Sequence, residues 1–351
     1  MHPGTRSPGG GEPLPSIGVT LRLTVDTGAW QRHIDAVVAA TDGLVPVVKG
    51  NGYGFGRSAL ALVAATIADT IAVGTVHELD VLDTTADIAA PRAASGAAPS
   101  TAPGAAPSTA PCDVTVLTPT LHAPDVPHDR VVLTVGSSEH VAALAGWPGR
   151  VVVKVASAMR RYGEDPDLLD RARDAGLDVI GWSIHPPLAG TDRDRLDEIT
   201  ALLPHLDPGL TVWLSHLAPD ALALLPDSHR YRLRVGTWLW HGDKSALHLN
   251  AEVLAIRPVA AGDRAGYRLV PVPTDGTLVM VGAGSAHGVA PLADGRSPFH
   301  HRRRRVDLLE PPHMHTSMLF VPDGDPVPEV GERIDVQRPL ITTHVDHVEW
   351  V

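Results

Sequence analysis

Apolar positions recur in two alternating patterns from about residue 17 onward. Short runs rich in valine, leucine and isoleucine alternate with amphipathic stretches, and this alternation predicts strands followed by helices. The predicted strands are Leu44–Val48, Ile71–Thr75, Val114–Leu117, Arg130–Thr134, Val151–Val155, Val179–Trp182, Thr211–Ser215 and Arg232–Val235. The clearest predicted helices are Ser58–Ile67, Asp167–Ala175 and Asp192–Leu203. Near-continuous apolar strands of this kind are typical of a parallel sheet that is buried on both faces.

Eight strands are the number that closes a TIM-type barrel, so the pattern predicts an α/β fold with a (β/α)₈ barrel over residues 17–245. An open, doubly wound sheet is the alternative. After about residue 245 the predicted strands are joined by Gly, Pro and Asp turns, with no convincing helix between them, and this predicts a C-terminal all-β domain over 246–351. These strands are Leu247–Pro258, Gly266–Pro273, Thr277–Val281, His315–Val321, Arg333–Gln337 and Leu340–Val348.

Two segments do not follow the βα rhythm. Residues 1–16 are rich in glycine and proline and are predicted to form a flexible N-terminal tail. Residues 96–103 and 104–111 are the same octapeptide, GAAPSTAP, written twice. A Pro/Ala/Ser tract cannot bury a core, so we expect a low-complexity insertion at about 89–112 in an exposed loop.

Composition and charge exclude several classes of protein. With 351 residues, 44% of them apolar, the chain can bury a large core and is not a disordered protein. A net charge of −11 argues against a nucleic-acid surface, and the basic run Arg302–Arg305 is predicted to be a solvated loop. A lone cysteine, Cys112, excludes a disulfide framework and a cysteine-based zinc site. The lack of long apolar runs predicts a soluble, cytoplasmic protein with no membrane partner.

Lysine is scarce, and this scarcity draws attention to the lysines that remain. Of 29 basic residues only Lys49, Lys154 and Lys244 are lysines. A desolvated lysine can lose its proton and attack a carbonyl group, which arginine cannot do. Lys49 follows an apolar strand and begins the glycine-rich stretch KGNGYGFG, which suits a Schiff-base lysine whose backbone approaches a ligand closely. A phosphate-binding turn without covalent chemistry is the alternative reading of the same stretch.

Several polar side chains follow the other predicted strands. In a barrel the active site lies at the C-terminal ends of the strands, so these side chains are predicted to converge on one rim. They are Lys154, Arg161, His185, His216 and Arg234. Each of them alone also has a structural explanation.

The glycine-rich stretch VVKGNGYGFG closely resembles the cofactor-lysine signature of alanine racemases, a fold-type III family that uses pyridoxal 5'-phosphate (PLP). The resemblance covers the chain in order from about residue 17, through IAVGTVHE at 71–78, VVVKVASAMRRYG at 151–163, LRVGTWLW at 233–240, AGDRAGYR at 261–268 and HMHTSMLFV at 313–321. It implies a barrel followed by a β-domain and a homodimer. Each active site would lie between one barrel and the β-domain of the partner, and the substrate would be an amino acid, with alanine the first choice.

The resemblance also implies roles for individual residues. Lys49 would hold PLP and act as one acid/base, and Tyr267 from the partner subunit would be the second. Arg161 would contact the PLP phenolic oxygen and the substrate carboxylate, which the backbone amide of Met314 would also face. Lys154 matches a lysine that is often carbamylated and that orients the arginine. The remaining cofactor contacts would be Tyr53 at the phosphate, His185 near the ring, Arg234 at the pyridine nitrogen, and Gly236 and Thr237.

These roles fit the chemistry of racemisation. A proton must leave one face of a planar carbanion and return to the other, which requires two acid/base groups. An arginine at the pyridine nitrogen cannot protonate it, whereas decarboxylases of this fold type place a glutamate there. Within the resemblance, Arg234 therefore favours a racemase.

The chain departs from the family pattern in several places. Residues 156–160 read ASAMR where the family has DTGMG, Asp220 stands at a phosphate-site serine, His315 replaces an aspartate, and no tyrosine follows Tyr267. Two alternatives therefore stay open: a racemase or related PLP enzyme acting on another amino acid, and a non-catalytic PLP-binding paralogue.

Histidine spacing offers a rival, metal-binding interpretation. His313 and His315 alternate and would share a strand face, and His344, Asp346 and His347 lie close together in sequence. His344 and His347 are three apart and would not share a face. We expect no metal and take surface histidines as the default.

Overall fold

The computed structural model describes residues 20–88 and 111–351. The predicted tail at 1–16 and all but the last residue of the octapeptide repeats lie outside the described residues. The chain divides into two compact units. The barrel unit comprises Val25–His248, Pro339–His344 and Trp350–Val351. The β unit comprises the described residues up to Thr24, together with Leu249–Arg338 and Val345–Glu349.

Strand β1 (Leu21–Val25) and helix α1 (Thr27–Ala40) begin the described chain, and the Asp26 side chain caps the helix by accepting the Ala29 N–H at 2.8 Å. The eight strands that follow form one parallel sheet, β2 (Leu44–Pro46), β3 (Thr70–Val73), β4 (Asp113–Val116), β5 (Val131–Val135), β6 (Arg150–Lys154), β7 (Asp178–Ser183), β8 (Thr211–Ser215) and β9 (Tyr231–Val235). Strand β2 pairs with β9, and a parallel bridge between Val47 and Ala72 links β2 to β3. The sheet is thus a nearly closed barrel, and the predicted α/β fold is confirmed.

The barrel strands form because their residues are apolar on both faces. Every residue of β3 and β5 is buried, as parallel strands covered by helices require. The helices of this unit after α1 are α2 (Arg57–Ile67), α3 (Val81–Thr84), α4 (Ser138–Ala143), α5 (Leu168–Asp174), α6 (Asp192–Leu202), α7 (Pro219–Leu222) and α8 (Thr237–His241). No helix among residues 20–88 and 111–351 is both long and apolar enough to cross a membrane.

The β unit is built on an antiparallel sheet. Its strands are β10 (Leu247–Val259), β11 (Arg264–Ala265), β12 (Val270–Pro271), β13 (Gly276–Val281), β14 (Phe299–His301), β15 (Arg304–Arg305), β16 (Asp307–Leu308), β17 (Ser317–Pro322), β18 (Arg333–Val336) and β19 (His347–Trp350). The main path runs β15-β14-β18-β10-β13-β17-β16, and β11 and β12 form a separate hairpin. Strand β1 joins this sheet by pairing with β10 and β19, although it precedes the barrel in sequence.

Two segments of the β region differ from the predicted strands. Residues 266–273 form a turn and the two-residue strand β12 rather than one strand. The predicted strand Leu340–Val348 is a 3₁₀ turn at Leu340–Thr342 followed by β19. The reason is local, because the Pro339 carbonyl accepts the Thr342 N–H at 3.0 Å and the Thr343 hydroxyl at 2.9 Å, and such bonds compete with a strand ladder.

Candidate active site

The loop after β2 carries Lys49 to the C-terminal end of the barrel. It is held by Glu78, whose carboxylate accepts the Gly74 N–H at 2.6 Å and the Gly50 N–H at 3.1 Å. On the other side, the Asn51 amide donates to the carbonyls of Leu340 and Thr343, each at 2.8 Å. Lys49 is thereby presented from an anchored loop, with its side chain accessible.

Tyr53 lies buried in this loop in an unusual backbone conformation. Its φ of 56° is in the left-handed region, which is uncommon for a residue other than glycine and often marks a functional site. Burial, with a smaller contribution from Glu78, raises the pKa of Tyr53 to about 12, so the phenol keeps its proton and can donate it in a hydrogen bond. Among the described residues, no hydrogen bond involves that hydroxyl.

Gly236 provides the space in front of the Tyr53 hydroxyl. It precedes α8, and a Cβ at this position would overlap the Tyr53 oxygen. Thr237 begins the helix and is exposed. A phenol with no acceptor among the described residues, next to a position where a side chain cannot fit, has its proton available to an acceptor group of a ligand.

Basic side chains surround the end of the barrel. Partial burial and the nearby Arg161 lower the pKa of Lys49, opposed by Glu78, and Arg234 lowers it further. Lys154 ends β6 with only 4% of its surface exposed, and burial together with Arg234, Arg161 and Lys49 lowers its pKa to about 7. Two amines with lowered pKa values beside two guanidinium groups favour an anionic ligand.

The guanidinium group of Arg234 is buried and donates its hydrogen bonds to uncharged acceptors. Its guanidinium donates to the carbonyls of Ile184 at 2.7 Å and Leu214 at 3.1 Å and to the Ser183 hydroxyl at 2.8 Å. Burial lowers its pKa to about 10, so it stays charged at neutral pH. No carboxylate of the described residues pairs with it, and its positive charge is left for a ligand.

His185 follows β7 and presents a neutral ring. Its Nδ1 lies 2.5 Å from the Ser215 hydroxyl, and its ring centroid is 4.5 Å from that of His216. Burial, helped by Arg234 and Lys154, lowers the pKa of His185 to about 2, so the imidazole is uncharged at neutral pH. A neutral flat ring at this position suits contact with an aromatic cofactor.

The loop after β6 carries Arg161, which is exposed. Two basic groups lie near the Tyr162 ring, with Lys154 Nζ at 5.8 Å and the Arg161 guanidinium carbon at 5.4 Å from its centroid. Arg161 lowers the pKa of both Lys49 and Lys154, so its guanidinium lies near these two amines although residues 156–160 depart from the family pattern. Tyr162 and Glu78 contact predicted site residues or their loop, and sequence reasoning missed both. The only sequence feature that pointed to Tyr162 was the rarity of tyrosine in this chain. Glu78 could have been noticed because it ends IAVGTVHE, one of the stretches that resemble the family.

The other predicted residues lie in the β unit. Tyr267 is 86% exposed and Met314 is 66% exposed. Both line a surface groove of about 610 Å³ whose wall also includes Arg268, His313 and His315. His315, which stands where the family has an aspartate, therefore lines the same groove as Tyr267. In the barrel unit, Asp220 is exposed in the first turn of α7.

The histidines considered for a metal do not assemble. His287 Nε2 lies 3.3 Å from Asp346, and the His315 ring centroid is 6.0 Å from that of His287. Within residues 20–88 and 111–351, no group of three or more His, Cys, Asp or Glu side chains could hold a metal ion.

The profile of the family described as "Alanine racemase, N-terminal domain" matches residues 25–243, which include the whole barrel from α1 to α8. The chain belongs to the alanine racemase family. An alanine racemase from Salinispora arenicola (strain CNS-205) is 28% identical over 286 residues, which cover 73% of this chain and 72% of that relative.

Solved alanine racemase structures share this fold. The crystal structure of alanine racemase from Bartonella henselae with covalently bound pyridoxal phosphate aligns with a TM-score of 0.65 at 16% identity, over 95% of this chain and 99% of that one. Biosynthetic alanine racemase from Pseudomonas aeruginosa aligns with a TM-score of 0.64 at 20% identity, with the same coverage of both chains.

Proposed function

We propose that this member of the alanine racemase family is a PLP-dependent amino-acid racemase that interconverts L- and D-alanine. One observation carries the proposal. At the C-terminal end of the barrel, the accessible amine of Lys49, with a lowered pKa, lies within the field of Arg161 and Arg234. A lysine made less basic among fixed cations is what covalent attachment of an anionic carbonyl cofactor requires.

The residues present fit PLP from one end to the other. Lys49 would hold it covalently, the Tyr53 hydroxyl with the backbone at Gly236 and Thr237 would bind the phosphate, and His185 would lie beside the ring. When bound, PLP accepts the electron pair that remains after the α-proton is removed. Arg234 would face the ring nitrogen as a cation that keeps its proton at neutral pH, which limits electron withdrawal into the ring and favours racemisation over decarboxylation.

Two groups would move the proton. Because burial and its cationic neighbours lower the pKa of Lys49, a larger fraction of its amine is neutral and able to accept the α-proton on one face of the substrate. Tyr267 of the partner subunit would act on the opposite face. Its 86% exposure in a single chain supports this role, since the phenol is free to enter another molecule.

Arg161 and Met314 would bind the substrate carboxylate, the first through its guanidinium and the second through its backbone N–H. Lys154 would support Arg161. A buried amine with a pKa of about 7 is largely neutral just above that pH, and addition of CO₂ to its nitrogen, with release of one proton to solvent, would turn it into a carbamate anion that orients the guanidinium. As part of the proposal, the enzyme is a cytoplasmic homodimer that supplies D-alanine to cell-wall synthesis.

A second candidate is a racemase for a different amino acid. The observation in its favour is the groove that carries Tyr267, where His315 stands in place of an aspartate. A changed charge beside the second acid/base would alter which side chains the site admits. A non-catalytic PLP-binding protein is the third candidate, favoured by the exposed Asp220 at the position of a phosphate-site serine.

Proton NMR in D₂O, with the protein, added PLP and a pool of L-amino acids, separates these candidates. Loss of the alanine α-proton signal, together with D-alanine found by chiral chromatography of the same sample, supports the proposal. Exchange of another amino acid supports the second candidate, and an amine product identifies a decarboxylase. If no α-proton exchanges although borohydride fixes PLP to the protein, the racemase proposal fails.

A further inference from the structure

Glu310 is a buried carboxylate that grips the backbone of the proposed second acid/base. It is 5% exposed, and it accepts the Tyr267 N–H at 2.9 Å through Oε1 and the Arg268 N–H at 3.1 Å through Oε2. Burial alone would raise the pKa of Glu310, but its hydrogen bonds with His313 and with these two N–H groups outweigh that effect and lower it. The carboxylate is therefore ionised and holds the Tyr267 backbone in place.

Gly266 makes this close approach possible. Its φ is +76°, a region that favours glycine, and a Cβ there would overlap the Glu310 carboxylate. The Glu310 carboxylate therefore leaves no room for a side chain at the position immediately before Tyr267.

His313 connects the same carboxylate to the Tyr267 side chain. Its Nε2 lies 2.6 Å from Glu310 Oε1, and its ring centroid lies 4.4 Å from the Tyr267 ring with an interplanar angle of 53°. Among the described residues no hydrogen bond involves the Tyr267 hydroxyl. The imidazole, oriented by Glu310, is therefore the contact that limits rotation of an otherwise exposed ring.

We propose that Glu310 and His313 form a clamp that positions Tyr267 for proton transfer. The inference rests on the proposed function, since it takes Tyr267 as an acid/base. An exposed side chain changes rotamer within nanoseconds, and a proton transfer requires the phenol at one distance and angle from the α-carbon. The Glu310–His313 clamp restricts backbone and ring together before the substrate arrives. Glu310 and His313 are positioning residues and do not themselves move the substrate proton.

A double-mutant cycle tests the clamp in the cofactor-loaded enzyme. His313→Ala is expected to lower kcat/KM roughly 10- to 100-fold, because misplacement of a catalytic group by about 1 Å has effects of that size. Both directions fall by the same factor, since the two enantiomers are equal in free energy. In a Tyr267→Phe background, His313→Ala should cause no further loss, because the group that it positions is already gone.

The primary kinetic isotope effect measured with α-deuterated substrate separates a positioning role from a general loss of structure, because only the former changes the isotope effect in one direction of the reaction. It is expected to rise only in the direction in which Tyr267 removes the α-proton. Glu310→Gln is the second variant and should produce the same asymmetry, since an amide cannot accept at both former carboxylate oxygens. His301→Ala is the matched control. His301 Nε2 lies 3.0 Å from Glu332 in the same unit, and loss of this pair should leave both isotope effects as in the wild type.

The outcomes distinguish this inference from the proposed function. If the wild-type enzyme racemises no amino acid, the proposed function has failed. If the wild type racemises alanine but His313→Ala costs as much in the Tyr267→Phe background as alone, or changes neither isotope effect, the clamp is overturned and the function stands.

Discussion

The Ser215 hydroxyl at the end of β8 lies 2.5 Å from Nδ1 of His185, which follows β7. The same hydroxyl is 3.4 Å from the Arg234 guanidinium, so three neighbouring strand ends meet at one serine. His185 is neutral and Arg234 is charged, because an imidazole buried beside a cation loses its proton far more readily than a guanidinium does. The barrel thus presents a fixed cation beside a neutral ring.

Lys49 is expected to be the lysine that carries PLP. After borohydride reduction, mass spectrometry should find one cofactor attached to the wild-type chain and none attached to Lys49→Ala, which should also lose the cofactor absorbance. The chain offers a matched control in Lys244→Ala, an exposed lysine that should leave attachment unchanged. Retention of the adduct in Lys49→Ala would remove this residue from the proposal.

Tyr267→Phe is expected to slow racemisation in both directions, by about 10²- to 10⁴-fold, the usual contribution of a positioned acid/base. Each direction uses both groups, so neither enantiomer escapes the loss. Initial rates from L- and D-alanine measure it. Tyr231→Phe, which removes a hydroxyl donating to the Pro226 carbonyl at 2.7 Å, is the control and should keep wild-type rates. Unchanged rates in Tyr267→Phe would assign the second proton transfer to another group.

Gly236→Ala is expected to weaken PLP binding, with Kd raised roughly tenfold or more, because one or two hydrogen bonds to a charged group are lost. The new methyl group would displace the Tyr53 hydroxyl from the phosphate position. Fluorescence titration of the cofactor-free protein measures the affinity. Gly28→Ala, in the first turn of α1 and facing flexible side chains, introduces the same methyl group elsewhere and should bind PLP as the wild type does. Equal affinity of all three proteins would argue against a phosphate at Gly236.

Lys154→Met is expected to stabilise the cofactor-free protein in a pH-dependent way. The folded state holds the pKa of Lys154 at about 7, against 10.5 ordinarily, so between these values the unfolded chain binds a proton that the folded chain does not. Wild-type stability should rise with pH across this window by up to about 1.4 kcal/mol per pH unit relative to the variant. The advantage of the variant is largest below pH 7 and closes towards pH 10.5.

Urea unfolding at a series of pH values, in buffer free of bicarbonate, measures that difference. Lys244→Met, at an exposed position, should differ from the wild type by a constant amount. A gap for Lys154→Met that stays constant from pH 7 to pH 10 would show that the amine is not buried in the way described.

Much of the fold was predictable because it depends on short-range pattern. The barrel strands were recognisable from runs such as Val131–Val135, since a strand buried on both faces has to be apolar at every position. Lys49 stood out for a similarly local reason, because an apolar strand leads directly into it and glycines follow. The resemblance to a family then assigned roles to residues that no pattern could have ranked.

The tertiary structure decided the contacts between residues far apart in sequence. Strand β1 alternates buried and half-buried residues, which fits a sheet with one covered face, but its sequence does not specify that β10 and β19 are its partners. A strand's partner depends on which edge the folded sheet leaves open. The Glu310 carboxylate accepts the N–H of Tyr267, which lies 43 residues away in sequence. The Tyr53 hydroxyl lies where a side chain at Gly236 would be. Apolar periodicity is a local property of the sequence. A long-range hydrogen-bond partner is determined only when folding brings two distant segments together, because burial then makes an unpaired polar group costly in free energy.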